Sequence, residues 1–175
     1  MDVSCGSGLF TRRFLSCGKF PQVLATDYSD SMMAQTLEYV RADKSLDPTR
    51  LTLVKADIHR LPFQTDSVPA IHAGAAIHCW QTPSVAMSEI SRVLKPGGTF
   101  VGSTFLDATA PLGKLIGNDE VLLPLRSLDF TQPSAFRWWS EPELRDLFAS
   151  VGLQDFQCIR YNRFILWSVI KPSVV

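Results

Sequence analysis

Two kinds of hydrophobic pattern alternate along the chain: short apolar runs, and apolar residues that recur at helical spacing. The runs, which predict strands, are residues 23–26, 51–55, 70–76, 99–105, 156–161 and 164–170. The helical patterns occupy residues 9–15, 30–40, 84–94 and 141–151. Ser140 and Glu143 form a capping box before the last helix, and Gly152 ends it. Strands and helices in alternation predict a layered α/β sheet, and the last two strands are close enough for an antiparallel hairpin.

Length and charge narrow the class of protein. A chain of 175 residues, 46% hydrophobic and 19% charged, is enough for one domain with a buried core. Its 17 basic and 17 acidic side chains give a formal net charge of zero, which argues against a dedicated nucleic-acid binder. No apolar run reaches the roughly 18 residues that would predict a transmembrane helix.

The four cysteines and three histidines do not have the spacing of a metal site or of a redox pair. A disulfide framework is not expected in a chain with so large a core. We therefore predict no metal, free thiols and a reducing compartment.

Three segments that can bind a ligand lie at the ends of predicted strands. Residues 2–8 (D-V-S-C-G-S-G) form a glycine turn before a helix, Asp27 is 19 residues beyond Gly8, and Asp57 ends the third strand. Each has a simpler explanation alone, as a tight turn, a helix cap and a loop aspartate. Together they favour a ligand site, because ligands of such folds bind at the carboxyl ends of the strands.

Four segments carry a resemblance to a known family: D-V-S-C-G-S-G, A-T-D-Y-S, A-D-I-H-R-L-P-F and R-V-L-K-P-G-G. They resemble the class I S-adenosylmethionine-dependent methyltransferases of the UbiE-like small-molecule type. More narrowly, H-A-G-A-A-I-H-C-W and W-W-S-E-P-E-L are similar to uncharacterised plant and algal chloroplast methyltransferases. The resemblance implies a Rossmann-like sheet, mostly parallel with a C-terminal antiparallel hairpin, in a single domain over residues 1–175. It also implies a plastid location.

The resemblance further implies a site for S-adenosylmethionine. Its residues would be Asp2, Ser4, Gly6 and Gly8 at the methionine end, Asp27 and Tyr28 at the ribose, Asp57 and Ile58 at the adenine, and Ala73 and Gly74 beside the sulfonium. Two positions depart from the family pattern. Ser4 stands where glycine is usual, and Val68-Pro69 replaces the common F-D, so we expect irregular pairing at Pro69, which lacks a backbone donor.

Residues 106–139 are predicted to form an insertion on the acceptor side of the domain. Its apolar side chains are Leu112, Leu115, Ile116, Leu122, Leu123, Leu125, Phe130, Phe136, Trp138 and Trp139. They favour a small apolar or aromatic acceptor, although the same residues would also serve simply to cover the sheet. Peripheral contact with a membrane is a further interpretation. The segment lacks the basic face that would support it.

The sequence assigns no catalytic residue, because methyl transfer from a sulfonium needs no acid for its neutral leaving group. His78 is the candidate for a base, with a packing or capping role as the alternative, and His72 is expected in the core.

The chain begins within the glycine motif, with three residues for the first strand. We therefore expect a short central strand, an open cleft and weak cofactor binding. A methyltransferase-like domain without catalysis remains an alternative. A nicotinamide-dependent oxidoreductase is a further alternative. Against it, the chain lacks the full G-x-G-x-x-G motif of dinucleotide-binding domains.

Overall fold

A computed structural model of the chain describes residues 1–107, 115 and 136–173. The strands in these ranges are β1 (Asp2–Val3), β2 (Val23–Asp27), β3 (Leu51–Lys55), β4 (Val68–Ala73), β5 (Leu94–Phe105), β6 (Gln154–Tyr161) and β7 (Phe164–Ile170). The helices are α1 (Leu9–Ser16), α2 (Asp30–Ala42), α3 (Pro83–Val93) and α4 (Glu141–Ser150), with short 3₁₀ segments at Pro48–Arg50 and Ile77–Cys79.

The strands form a mixed sheet in the order β3-β2-β1-β4-β5-β7-β6. The first five are parallel to their neighbours, whereas β7 runs antiparallel to β5 and β6 antiparallel to β7. The predicted α/β fold with a C-terminal hairpin is therefore confirmed. β1 has two residues, as expected, and it pairs with both β2 and β4 at the point where the strand order reverses.

The predicted bounds of β4 were wrong. The strand covers Val68–Ala73 rather than 70–76, and Ala70, although apolar, is exposed. The register of β4 on β5 shifts between Val68 and Ala70, which confirms the irregular pairing expected at Pro69. The physical reason is that proline offers no N–H to the ladder.

The bounds of β5 and α3 also differ from the prediction. Leu94, assigned to the helix from its spacing, is the first residue of β5, and α3 ends at Val93. Leu94 is nevertheless fully buried, so its apolar character was interpreted correctly and only its backbone conformation was not.

Aromatic side chains dominate the core beneath the C-terminal strands. Phe148 of α4 is buried and its ring contacts those of Phe100, Phe156 and Trp167. The capping box at Ser140 is present, with the Ser140 hydroxyl accepting from the Glu143 N–H and the Glu143 carboxylate accepting from the Ser140 N–H. None of the helices in the described ranges has both the length and the hydropathy to cross a membrane.

Glu89 and Arg92 of α3 hold the loop that follows β3. Glu89 accepts from Arg92 Nε at 2.7 Å and from the backbone N–H of Leu61 at 2.7 Å, while Arg92 Nη1 donates to the Phe63 carbonyl at 2.7 Å. The hydrogen bonds from Arg92, together with that from Leu61, hold the pKa of Glu89 below its ordinary value. This pair therefore fixes the loop between β3 and β4 onto α3.

We expect Glu89→Gln to lower the free energy of unfolding by about 1–3 kcal/mol near neutral pH. The reason is that the charge is lost from an acceptor of three hydrogen bonds, from Arg92 Nε, Arg92 Nη2 and the Leu61 N–H. Since the folded pKa of Glu89 is lowered, its contribution is complete above its ordinary pKa and is lost as the pH falls through the folded pKa. Urea unfolding of both proteins at several pH values measures this, with the exposed Glu38→Gln as the control. A difference between wild type and variant that does not shrink in acid would contradict the prediction.

Candidate functional site

A cavity of about 430 Å³ lies at the carboxyl ends of the first four strands. Ser4 follows β1, Asp27 ends β2 and is followed by Tyr28, and residues 56–59 follow β3. Ala75 and Ala76 border it after β4. The position at the reversal of strand order and the size are both typical of a nucleotide-type ligand site.

Asp27 is fixed at the edge of this cavity by two backbone amides. Its Oδ2 accepts from the N–H of Gly6 at 2.8 Å, and its Oδ1 accepts from the N–H of Ser29 at 2.9 Å. A carboxylate has about four acceptor sites, so both oxygens retain capacity for a ligand hydroxyl. The helix-cap interpretation of Asp27 is wrong, because Ser29 is the residue that caps α2.

Ser4 has a left-handed backbone conformation, with φ 51°. Glycine adopts this region without steric penalty, which gives a physical reason for the glycine that the family pattern has at this position. Here the side chain instead accepts a hydrogen bond from Trp80 Nε1 at 3.1 Å. Ser4 thereby links the loop after β1 to the segment after β4, on the border of the cavity.

Gly6 and Gly8 shape the loop rather than line the cavity. Gly8 has φ +75°, and a Cβ placed on it would lie 2.6 Å from Thr36 Cγ2. The hydroxyl of Thr36, which is fully buried, donates to the Gly6 carbonyl at 2.8 Å. Gly6 has φ +55° with no atom within 4 Å of such a Cβ, so the chain is open on that side.

Asp57, Ile58 and His59 form the wall on the β3 side. Asp57 Oδ1 accepts from the backbone N–H of His59 at 2.9 Å and contacts its ring Nδ1 at 2.7 Å. These bonds from His59 hold the pKa of Asp57 below its ordinary value, so the side chain is a carboxylate at neutral pH. Ile58 is buried beside it.

Asp2, Ala73 and Gly74 are not among the residues that line the cavity. The buried Asp2 accepts from the Thr11 hydroxyl at 2.6 Å and pairs with His72 Nδ1 at 2.8 Å. Ala73 is buried at the end of β4, and a Cβ on Gly74 would meet the Phe10 ring at 2.6 Å. His72 is half-buried against Phe10 and Phe14, not fully in the core as expected.

The sequence did not identify His59, Cys79, Trp80 and Gln81 as lining residues. Trp80 was noted only as part of a family segment, and His59 only as an unsuitable metal ligand. Both belong to loops without periodicity, so their direction could not be predicted. In the parts of the chain that the structure describes, no group of three or more acidic, histidine or cysteine side chains could hold a metal.

Cys5 lies in the glycine loop, and its sulfur is a weak nucleophile there. Burial, together with the nearby Asp2 and Asp27 carboxylates, raises the pKa of the Cys5 thiol to about 12. The thiol is therefore protonated at neutral pH, and covalent catalysis by Cys5 is not supported.

A second cavity, of about 220 Å³, is lined by His78, Phe105, Phe136, Arg137 and Trp138. His78 Nδ1 shares a hydrogen bond with the buried Thr104 hydroxyl at 3.0 Å, and its ring contacts those of Phe105 and Phe136 edge-on. Burial lowers the pKa of His78, which is therefore neutral at neutral pH. The 3₁₀ segment Ile77–Cys79 separates the two cavities. It places His78 on this second cavity and Cys79 on the larger cavity, the one of about 430 Å³.

Most of the predicted acceptor-side insertion, residues 108–114 and 116–135, lies outside the described residues. At its two ends, Leu106 and Trp139 form an isolated bridge and are both buried. Trp139 thus belongs to the core, whereas Phe136 and Trp138 line the second cavity.

Comparison with known proteins finds methyltransferases among the relatives of this chain. The chain is 40% identical over 173 residues to an uncharacterized chloroplastic methyltransferase of Arabidopsis thaliana, covering 98% of this chain and 47% of that protein. It is 26% identical over 174 residues to the demethylmenaquinone methyltransferase of Shouchella clausii, covering 93% of this chain and 73% of that protein. The chain thus spans about half the length of the Arabidopsis relative.

A solved structure shares the fold. Phosphoethanolamine N-methyltransferase 2 of Haemonchus contortus, in complex with phosphomonomethylethanolamine and S-adenosylhomocysteine, matches with a TM-score of 0.74 and 17% identity, covering 98% of this chain and 48% of that chain. The family model described as a methyltransferase domain matches residues 1–102. The chain therefore belongs to the methyltransferase family that this model describes.

Proposed function

We propose that this chain transfers a methyl group from S-adenosylmethionine to a small apolar or aromatic acceptor. The observation that carries the proposal is the pair of carboxylates, Asp27 and Asp57, at the ends of neighbouring strands on one cavity. Two fixed acceptors on adjacent strands suit a nucleoside, which presents donors on both its sugar and its base.

The residues present fit this cofactor. Asp27, anchored by the Gly6 and Ser29 amides, would accept from the ribose hydroxyls, and Asp57 would accept from the adenine amino group. Ile58 offers an apolar contact for the base. Ser4 and the loop of Gly6 and Gly8 would border the methionine end. When bound, the cofactor supplies an electrophilic methyl group whose leaving thioether is neutral.

The second cavity is our proposed site for the acceptor. Three of its five lining residues, Phe105, Phe136 and Trp138, are aromatic. The segment Ile77–Cys79 lies between it and the cofactor cavity. An aromatic ring would pack against Phe105 and Phe136 and would exclude water from the reacting atoms. The demethylmenaquinone methyltransferase similarity supports a ring-shaped acceptor, and the name of the Arabidopsis relative supports a plastid location.

His78 is our candidate for a base where the acceptor must lose a proton. Its neutral imidazole can accept one, and the bond from Nδ1 to Thr104 Oγ1 orients the ring. The chain's own contribution is otherwise positioning, because the displacement at the methyl carbon needs no acid.

Two measurements test the function. Titration with S-adenosylhomocysteine should give heat, and tritium should pass from labelled S-adenosylmethionine to a member of a panel of quinols and phenols. Absence of both heat and thermal shift would support a non-catalytic domain, and a change in reduced-nicotinamide absorbance without methyl transfer would support an oxidoreductase.

With a phenolic acceptor, His78→Phe should lower kcat by about 10²-fold while leaving the affinity for S-adenosylhomocysteine within a factor of two. The loss should diminish at high pH, where the acceptor ionises without a base. Measuring kcat from pH 6 to 10 checks this. Equal loss at every pH would assign His78 a packing role instead.

A further inference from the structure

Three hydrogen bonds converge on His59 at the wall of the larger cavity. Its backbone N–H and its ring Nδ1 both contact Asp57 Oδ1, at 2.9 and 2.7 Å. On the other side of the ring, Nε2 lies 3.2 Å from the backbone N of Thr82, the N-cap residue of α3. The side chain thus connects the loop after β3 to the start of α3.

These contacts assign the protonation of the ring. A backbone N–H can only donate, so Nε2 accepts from Thr82 and carries no proton. In the neutral imidazole the proton is then on Nδ1, which donates to the Asp57 carboxylate. The same tautomer satisfies both links at once.

The ring Nδ1 gives the Asp57 side chain a second donor, in addition to the backbone N–H of His59. The Asp57 side chain is 49% exposed, and its Oδ1 receives two donors from His59. Oδ2 accepts no hydrogen bond from the residues that the structure describes, so it is the oxygen left for a ligand on the cavity. Immobilising one such side chain in advance raises ligand affinity by about threefold to tenfold.

The turn around this pair is also closed. The backbone N–H of Arg60 donates to the Asp57 carbonyl at 2.9 Å, which fixes the main chain on which Asp57 and His59 stand. Gln81, just before Thr82, lines the same cavity as Asp57. His59 therefore joins two segments that both border the site.

We propose that His59 is a positioning residue that fixes Asp57 for the amino group of adenine and thereby sets the preference for adenine over hypoxanthine. The inference rests on the proposed function, in which Asp57 accepts from the base. Adenine offers an amino donor at the position where hypoxanthine has a carbonyl oxygen. A carboxylate held in place accepts a hydrogen bond from the amino group of adenine and repels the carbonyl oxygen of hypoxanthine. A carboxylate that can turn discriminates poorly between the two bases.

Two substitutions separate the two links. In His59→Asn the amide nitrogen can take the place of Nδ1 and keep the donor for Asp57, but nothing reaches Thr82. In His59→Gln the amide oxygen can take the place of Nε2 and keep the acceptor for Thr82, but the side-chain donor for Asp57 is lost. His59→Phe removes both links of the ring, and Asp57→Asn gives the reference without a carboxylate. In every variant at position 59 the backbone N–H that donates to Asp57 is retained.

The experiment is calorimetric titration of each protein with S-adenosylhomocysteine and with S-inosylhomocysteine, its hypoxanthine counterpart. The ratio of the two Kd values from one preparation does not depend on the fraction that is folded. Wild type should prefer adenine by about tenfold or more, the strength of a hydrogen bond to a charged group. His59→Asn should keep that ratio within a factor of two, and His59→Gln and His59→Phe should reduce it to threefold or less.

Other results would overturn the inference. A full preference in His59→Gln, or an equal loss in His59→Asn and His59→Gln, would show that the link to Asp57 does not set selectivity. Wild type that binds both nucleosides equally would refute adenine readout while leaving cofactor binding intact. Wild type that binds neither would refute the proposed function, and the inference with it.

Discussion

Asp27→Asn is expected to weaken binding of S-adenosylhomocysteine by about 100-fold or more. Hydrogen bonds to a charged acceptor contribute about 1.5–3 kcal/mol each, and a ribose offers two hydroxyls to this carboxylate. The backbone N–H groups of Gly6 and Ser29 both donate to Asp27. In asparagine one of the two side-chain oxygens becomes an NH₂ group, which would face one of these N–H donors with another donor. Calorimetric titration measures the loss of affinity, and thermal unfolding measures the accompanying loss of stability.

Asp30→Asn is the matched control for this change. Asp30 lies three residues away in the first turn of α2, its side chain is 77% exposed, and it pairs with Lys55 outside the cavity. Exposed pairs of this kind contribute about 0–1 kcal/mol, so affinity should stay within a factor of two. Wild type should also bind the 2′-deoxy analogue about tenfold more weakly, and Asp27→Asn should not distinguish the two. If Asp27→Asn and Asp30→Asn had equal effects on affinity for S-adenosylhomocysteine, a ribose contact by Asp27 would be ruled out.

The ends of the predicted strands were the most reliable guide to the site. Asp27 and Asp57 were identified because a short apolar run fixes where a strand ends, and parallel strands end at one edge of the sheet. β4 was less predictable, since a run of small apolar residues does not show where extended backbone gives way to a 3₁₀ turn at Ile77–Cys79.

Contacts between loops could not be predicted from the sequence. The bonds from Trp80 to Ser4 and from Thr82 to His59 join segments 76 and 23 residues apart, without periodicity on either side. Only the folded sheet brings the ends of β1, β3 and β4 together. The sequence therefore predicts the strand-end carboxylates, whereas the residues that orient them require the structure.

The second large effect is expected on stability, from a substitution in the glycine loop. Gly6, Gly8 and Gly18 together separate the cost of a left-handed backbone from the cost of a steric clash. All have positive φ, but only Gly8 would place a Cβ against another residue, 2.6 Å from Thr36 Cγ2. Gly8→Ala should lower the free energy of unfolding by about 2–5 kcal/mol, the sum of about 1–2 for the left-handed backbone and 1–3 for overpacking. Gly18→Ala, with φ +69° and no atom within 4 Å, should show only the backbone part.

Gly6→Ala distinguishes a ligand cradle from a simple turn. Its φ is +55° and no protein atom lies within 4 Å of the added Cβ, so its loss of stability should match that of Gly18→Ala. If the cofactor approaches this loop closely, the methyl group should weaken S-adenosylhomocysteine binding by about tenfold or more, whereas Gly18→Ala should leave affinity unchanged. Urea unfolding and calorimetric titration of the three variants measure both quantities. Unchanged affinity in Gly6→Ala would place the cofactor away from the loop, and Gly6 would then serve the fold alone, through its bonds to Asp27 and Thr36.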